Sequence, residues 1–491
     1  MRRGGLKSAN IVRISDFTGG EASIFPLTRM PAKYSTLLQN CYIAENGKIT
    51  SVPGYQKVNT NSCGMQLTSG FEFRKSDGSI IILAAGGGNI YKVDGAALTV
   101  IKNGLAAAKV SFASINDTCI MSNGVDAPMK YDGVNVTGLG GTPPATAFKA
   151  HVYKGRVWMI EKTHKLLATY SALDAPEDYT SANNAGYIDF NFVLREGDEL
   201  LDIVTYIDLL VFFFRNHIAI YSGSNPTSTG DFQLVQLIEG SGVHANDTVQ
   251  LLGTDMGFLY DSGVKSLRQV VTTGNLNADD VSVKINPTLL PVISQSAVWS
   301  SAHYQTLGWY MLLIDTVIFC YSYGLKTWHR ITGADVQGMF STVDGKVYFC
   351  GNGFLYQFGI GTKFDTVNPD MVWQSAWLPL SQFGLRNYPK LMELNLGPED
   401  SMTIDVQLAY DLRASTAEQI VSLAVGPLGL VAIDDVTDWD ALDPLDAIPF
   451  GDVRVPIFGG GRLMQITIRN SSGLSLDIND IVLIYLKGGL S

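Results

Sequence analysis

Charge is scarce in this chain. Only 16% of its 491 residues are charged, against about 25% in ordinary globular chains. Much of the polar surface must therefore come from Ser, Thr, Asn, Gln and Gly. Basic charge is scarcer than acidic: 35 Lys and Arg face 46 Asp and Glu, for a net charge of −11 and a pI near 5.0. That balance excludes a broad face that grips nucleic-acid phosphates. Long apolar runs are missing too. The two longest, Ile207 to Phe214 and Gly308 to Tyr321, are interrupted by Asp208 and by Asp315-Thr316. Neither approaches the roughly 20 residues of a membrane-spanning helix. No apolar run follows Arg2 and Arg3, so the signal-peptide pattern is absent and the expectation is a soluble protein made in the cytoplasm. The five cysteines, Cys41, Cys63, Cys119, Cys320 and Cys350, never form a CxxC pair. Scattered and odd in number, they read as reduced, buried thiols.

Catalytic patterns are equally sparse. The six histidines, His151, His164, His217, His244, His303 and His329, make no HExxH or other ligand spacing. There is no GxSxG, hence no nucleophile elbow. Gly86-Gly87-Gly88 lacks the Lys-Ser/Thr of a phosphate loop and reads as a turn before a strand. Tyr321 to Trp328 departs from the Asp-box turn of sialidase propellers, with Tyr323 in place of Asp and Leu325 in place of Gly; it reads as a hairpin with Trp328 packed between blades. The expectation is no enzyme, no cofactor and no metal.

Strand signals are what the chain does contain. Its 50 glycines point to many tight turns, and helical periodicity is confined to Asn286 to Ile293, with Asp279 to Ile285 a second candidate. One unit keeps returning: a Gly or Asn turn, alternating apolar residues, an aromatic, another turn. It occurs at Gly88 to Gly95, Ala127 to Gly133, Gly155 to Ile160, Asn216 to Tyr221, Gly257 to Ser262, Val317 to Tyr321 and Gly353 to Phe358. A second strand precedes many copies, as at Ile80 to Ala84, Cys119 to Ser122, Leu209 to Phe214 and Val347 to Cys350. A period near 40 residues with about four strands is the mark of a propeller blade. The expected fold is all-β: a β-propeller of about six or seven blades over residues 49–368. A pair of unrelated β-sandwiches is the alternative. Ser171 to Ala185 and Thr227 to Asp231 read as loops inserted into blades, and Gly138 to Pro144 as an inter-blade connection, because Pro143-Pro144 cannot sit in a central strand.

Beyond residue 369 the texture changes. Leu391 to Leu396, Thr403 to Tyr410, Leu463 to Arg469 and Ile481 to Leu486 alternate with period two, which suits sheets with one buried face. Residues 369–491 are therefore expected to form a β-sandwich-like domain with an acidic insertion. From Glu399 to Asp452 there are twelve acidic residues and one basic one, Arg413. The densest block, Asp434, Asp435, Asp438, Asp440, Asp443 and Asp446, is a candidate channel or docking surface; the plainer reading is a solvated acidic insertion. Residues 1–48 hold no repeat copy and are expected to be extended, laid on the ring or donated to a neighbour.

In their order these segments resemble the β-propeller tail hub, or nozzle, proteins of short-tailed bacteriophages. The resemblance is carried by Asp16 to Gly20, Leu38 to Ile43 and Ser51 to Tyr55, then by His151 to Trp158, Tyr170 to Tyr179 and Gly197 to Gly223. Gly240 to His244, Gly257 to Val264, Gly461-Arg462 and the last two strands complete it. It implies a structural virion protein, assembled in the host cytoplasm and resident in the virion tail. Its partners would be five further copies in a hexameric ring, the portal-adaptor ring, and tail fibres or tailspikes. Genomic DNA would pass through the channel without sequence-specific binding. The resemblance supplies no catalytic residues. The rival readings are a propeller glycosidase or lectin acting on cell-surface glycans, and a fibre adaptor.

Overall fold

The computed structural model describes residues 10–194, 197–228, 230–269, 276–380, 386–413, 419–426 and 452–487. The chain divides into two compact units. One contains Gln56–Ile318 and Ala334–Gly359; the other contains Met1–Tyr55, Phe319–Gly333 and Ile360–Ser491.

The first unit is a β-propeller. Blade 1 is Ser69–Arg74, Ile80–Gly86, Asn89–Asp94 and Ala97–Lys102, hydrogen-bonded in that order. Blade 2 is Ser111–Ile115, Thr118–Ser122, Met129–Tyr131 and Val136–Gly138. Blade 3 is Ala147–Tyr153, Arg156–Glu161, Leu167–Tyr170 and Gly186–Asp189, and blade 4 is Leu200–Tyr206, Leu209–Phe214, His217–Ser222 and Gln233–Glu239. Blade 5 is Gln250–Leu252, Asp255–Tyr260, Gly263–Gln269 and Leu276–Asp280. Blade 6 brings Trp299–Tyr304 and Trp309–Ile314 to this unit. Blade 7 is Gly338–Ser341, Val347–Cys350 and Leu355–Phe358, and its fourth strand is Tyr55–Lys57, from before blade 1. That strand closes the ring: Val58 donates its N–H to Leu355 O at 2.8 Å, and Asn59 Oδ1 accepts the Leu355 N–H at 2.8 Å.

Each recurring aromatic unit falls on one blade. In blades 1, 2, 4 and 7 it is the third strand and in blades 3 and 5 the second; the copy at Val317 to Tyr321 is the strand Val317–Ser322, next in order after Trp309–Ile314. The copies share a period because every blade repeats the same burial demand. A sheet hidden on both faces reads as a continuous apolar run, and Leu209–Phe214 is buried from Leu210 to Phe214. Neighbouring blades fill the space between them. Trp158, Tyr170 and Phe190 of blade 3 pack with Phe212, Phe214 and Tyr221 of blade 4, ring centroids 4.8 to 6.0 Å apart. Each such side chain contributes about 1.5–3 kcal/mol relative to exposure. Gly138 to Pro144 joins blades 2 and 3, and the loops expected at Ser171 to Ala185 and Thr227 to Asp231 lie inside blades 3 and 4. The one α-helix among the described residues is Asn286–Ile293. The second helix candidate, Asp279 to Ile285, is overturned: Asp279 and Asp280 end a strand, and residues 281–285 lead through a turn into the helix. The carbonyl and amide groups of Asp279 and Asp280 are taken by pairing with Ser266 and Lys265.

The second unit is a two-sheet sandwich. One sheet runs Asp452–Pro456, Asn387–Pro398, Leu476–Lys487, Ile49–Ser51 and Cys41–Ile43, with Asn10–Ile14 also on Leu476–Lys487. The other runs Thr327–Thr332, Tyr34–Gln39, Met371–Ser375, Leu463–Asn470, Met402–Tyr410 and Gln419–Val425. Their inner faces meet in one core, where Met402, Ile404, Val406 and Leu408 from one strand face Met392, Leu394 and Leu396 from another. The period-two pattern is thus a one-sided burial pattern.

The sequence reading expected the N-terminal segment to be extended and laid on the ring or donated to a neighbour. From residue 10 it is woven into the sandwich. Ile11 to Ile14 pair with Ile484 to Ile481, Phe17 meets Trp373 edge to face at 5.6 Å, and Trp373 Nε1 donates to Ser35 Oγ at 2.9 Å. A buried ion pair pins it: Glu21, 3% exposed, holds Arg330 and accepts the Leu38 N–H at 3.1 Å. The boundaries expected after residues 48 and 368 are therefore replaced by Tyr55/Gln56 and Gly359/Ile360, with Phe319–Gly333 also in the sandwich unit. Cys41, Cys119, Cys320 and Cys350 are buried free thiols, and Cys63 is half-buried. Trp328 is buried against Tyr321, centroids 5.0 Å apart.

Removing one partner of a buried pair strands the other charge. Arg330→Ala should lower sandwich stability by about 3 kcal/mol, read by urea titration. An unchanged midpoint would mean that Glu21 is relieved by protonation alone.

Candidate functional site

Propeller function conventionally gathers where the inner strands converge, and here that region is built from the first strand of each blade. Polar side chains stitch neighbouring inner strands. Ser69 Oγ accepts the Val110 N–H at 3.3 Å, His151 Nε2 meets Thr205 Oγ1 at 2.7 Å, and Tyr206 donates its hydroxyl to Thr254 O at 2.5 Å. Gln250 Nε2 donates to Ser301 O at 3.1 Å, Met339 N–H to Ser300 Oγ at 2.9 Å, and Val343 N–H to Glu72 Oε2 at 2.6 Å. The last of these seals blade 7 to blade 1.

Inside this ring lies a cavity of about 230 Å³, lined from blades 1, 2, 3, 5, 6 and 7 by residues that include Ser69, Lys109, Lys149, Asp247, Ser301 and Ser341. Three of its lining charges, Lys109, Lys149 and Asp247, meet a fourth, the buried Asp202. Lys149 Nζ lies 3.0 Å from Asp202 Oδ1 and 2.8 Å from Asp247 Oδ1, and Lys109 Nζ lies 3.1 Å from Asp247 Oδ2. Lys109 also donates to Trp299 O at 3.0 Å, and Asp202 Oδ2 accepts the Asp247 N–H at 3.0 Å. Both Lys149 and Asp202 sit beside a shift of strand register, at Ala147/Lys149 and Leu200/Asp202. An extra residue there re-aims the side chain.

The electrostatics are those of a closed account between two cations and two anions. Burial opposes the charge on Asp247, yet Lys109 and Lys149 together hold its carboxyl well below the usual range. Burial also works against Lys149, but Asp202 and Asp247 raise its ammonium above normal. Burial dominates at Asp202 and raises it despite Lys149. His151, two residues beyond Lys149 on the same strand, is driven to about 3 by burial and by Lys149. It is neutral at pH 7. The arrangement can hold the ring together; it presents no activated nucleophile and no unpaired acid.

None of these four residues was singled out from the sequence. They are separated by tens of positions, and each blade contributes a single charge, so no spacing marks them. The one available signal was their recurrence at the start of an inner strand. The acidic block Asp434, Asp435, Asp438, Asp440, Asp443 and Asp446 lies outside the described residues. Among the described residues no group of three or more His, Cys, Asp or Glu could hold a metal ion, and no helix is long and apolar enough to cross a membrane.

No protein family matches the sequence, and no curated protein does. Solved structures similar to the chain are β-propeller proteins. The extracellular domain of the one-component system BT4673 from B. thetaiotaomicron is 10% identical, with a TM-score of 0.45 over 75% of this chain and 47% of that one. YCF48 from Cyanidioschyzon merolae is 10% identical, with a TM-score of 0.43 over 62% of this chain and 98% of that one. A streptogramin B lyase is 14% identical, with a TM-score of 0.43 over 62% of this chain and 96% of that one. The first match spans less than half of its partner's length, and at these scores the fold assignment rests on the sheets themselves.

Two outcomes follow from the axis. Lys149→Met leaves Asp202 and Asp247 facing each other in a buried site, and should cost about 3–5 kcal/mol in chemical denaturation; adding Asp202→Leu should recover part of the loss. The second concerns acid. The folded-state value of His151 lies below its unfolded value of about 6.5, so its contribution to stability is complete above pH 6.5 and lost as pH falls toward 3. Each unit in that window costs about 1.4 kcal/mol. His329, buried in the sandwich and also driven to about 3, acts in the same direction. His151→Gln should flatten the acid limb of the propeller's stability curve, followed by tryptophan fluorescence between pH 7 and 4.

Proposed function

We propose that this chain is a structural protein of a bacteriophage tail. Six copies form a hub or nozzle ring that extends the portal-adaptor channel and anchors fibres or spikes. The observation that carries this reading is the neutralised propeller axis. Lys109, Lys149, Asp202 and Asp247 use one another up, so the centre of the ring serves as a fastening rather than as a catalytic mouth. In this reading the DNA conduit is the opening enclosed by the six copies.

The surface chemistry fits that arrangement. A net charge of −11 per copy gives a six-copy conduit a repulsive field, and a wall that does not bind phosphates lets DNA slide. The acidic block from Asp434 to Asp446 is the largest single-signed contribution to it, or else a fibre-docking patch. The protein works as an assembly component of the virion tail, made in the host cytoplasm, without enzymatic activity or cofactor.

Electron microscopy of the purified protein and of virions tests this. The expected images are six-fold rings with a central opening of duplex width, and the protein should retain no duplex DNA at about 150 mM salt. A chain found in the capsid shell or in a trimeric spike would refute the hub, and so would glycan cleavage lost on changing a single carboxylate.

A further inference from the structure

A second cavity, of about 380 Å³, lies between blades 3 and 4, away from the axial charges. Its lining includes Lys154, Arg156, Leu173, Asp178, Asn184 and Asn225. The turn Lys154-Gly155 joins Tyr153 to Arg156, with φ of +44° and +74° at its two residues. Two positive φ values make the tight hairpin that matches strand twist. The turn is held from outside by the inserted loop: Asp174 N–H donates to Gly155 O at 2.7 Å, and a Cβ on Gly155 would come within 2.9 Å of Leu173. The loop that looked like a mere insertion in the sequence thus builds one wall.

Arg156 is the unusual member. It is 3% exposed, and no carboxylate among the described residues forms an ion pair with it. Nη1 donates to Ser171 O at 2.8 Å and to Asn184 O at 2.7 Å. Nη2 has one long bond, 3.4 Å, to Asn225 Oδ1, and Nε has no partner. One edge of the guanidinium is therefore fully tied, and the Nε–Nη2 edge is not. Burial lowers its pKa, though a guanidinium stays charged. The Tyr170 ring lies 5.6 Å from it and Asp174 attracts it from beyond ion-pair distance, but a buried charge without a contacting counter-ion is costly. The cavity's one acid does not serve it: Asp178 Oδ1 accepts the Thr180 N–H at 2.8 Å, and Oδ2 accepts from Asn183 Nδ2 at 2.6 Å. Lys154 adds a second cation, paired at 3.0 Å with Asp208, which is 78% exposed in its side chain.

We propose that this cavity binds a small hydroxylated carboxylic acid, of the size and chemistry of an acidic monosaccharide. Arg156 lines the cavity without a contacting counter-ion, and its guanidinium supplies the charge that a carboxylate answers. Lys154 strengthens the field, the amides of Asn184 and Asn225 address hydroxyls, and Leu173 covers a ring face. The volume lies near the lower bound of about 300 Å³ for ligand sites. The site is independent of ring assembly, so either reading can fail alone.

Titration calorimetry of the full chain with D-glucuronate, D-glucose and inorganic sulfate tests it. Glucuronate should bind, with glucose and sulfate at least tenfold weaker. Arg156→Lys should weaken glucuronate at least tenfold. Should that variant melt early, Lys154→Ala, which removes a cation paired with the exposed Asp208, should weaken it several-fold with the melting temperature unchanged. No heat with glucuronate, equal binding of glucose or sulfate, or full affinity in Lys154→Ala overturns the proposal.

Discussion

Ring closure is the constraint on which the rest of this structure depends. A propeller blade hides both faces only if it has a neighbour on each side, so seven blades are stable only as a closed circle. Closure here uses a strand from before blade 1, with Asn59 and Val58 holding Leu355. Because that strand is spent at the seam, the residues before it must find partners elsewhere, and they find them in the sandwich. The same event thus completes one unit and delivers five strands to the other, from Asn10–Ile14 to Ile49–Ser51.

Polarity follows the same logic. Inner strands approach one another around an axis where apolar side chains would leave backbone groups unmet, and serine, threonine and glutamine side chains meet them. The charged quartet adds strength at a point where breaking any one pair leaves another ion buried. Such a centre favours one register and one blade order. Arg156 is the contrast: a buried charge that the fold meets with carbonyl oxygens and the ring of Tyr170, with no carboxylate in ion-pair contact among the described residues.

The sequence alone determined the kind of structure. Burial on both faces forces continuous apolar strands, and burial on one face forces alternation, so the propeller and the sandwich could each be read from Leu209–Phe214 and from Met402–Tyr410. Asn286–Ile293 could be read as a helix, with Pro287 at its start. The connection through Pro143-Pro144 was legible because proline cannot donate to a ladder. These are local rules, set by a residue and its near neighbours.

Tertiary structure alone decided where the ends of the chain go and which charges meet. The segment before residue 55 carries alternation too short to say which sheet it joins; its strands pair with Leu476–Lys487, Met371–Ser375 and Thr327–Thr332. The axial lysines and aspartates come from four separate stretches, and register shifts within two strands aim two of them. Arg156 reads locally as an ordinary strand residue after a Lys-Gly turn; its isolation depends on a loop that folds back from residue 171. Pair energies between such residues are properties of distance in space, and nothing in their separation along the chain encodes them.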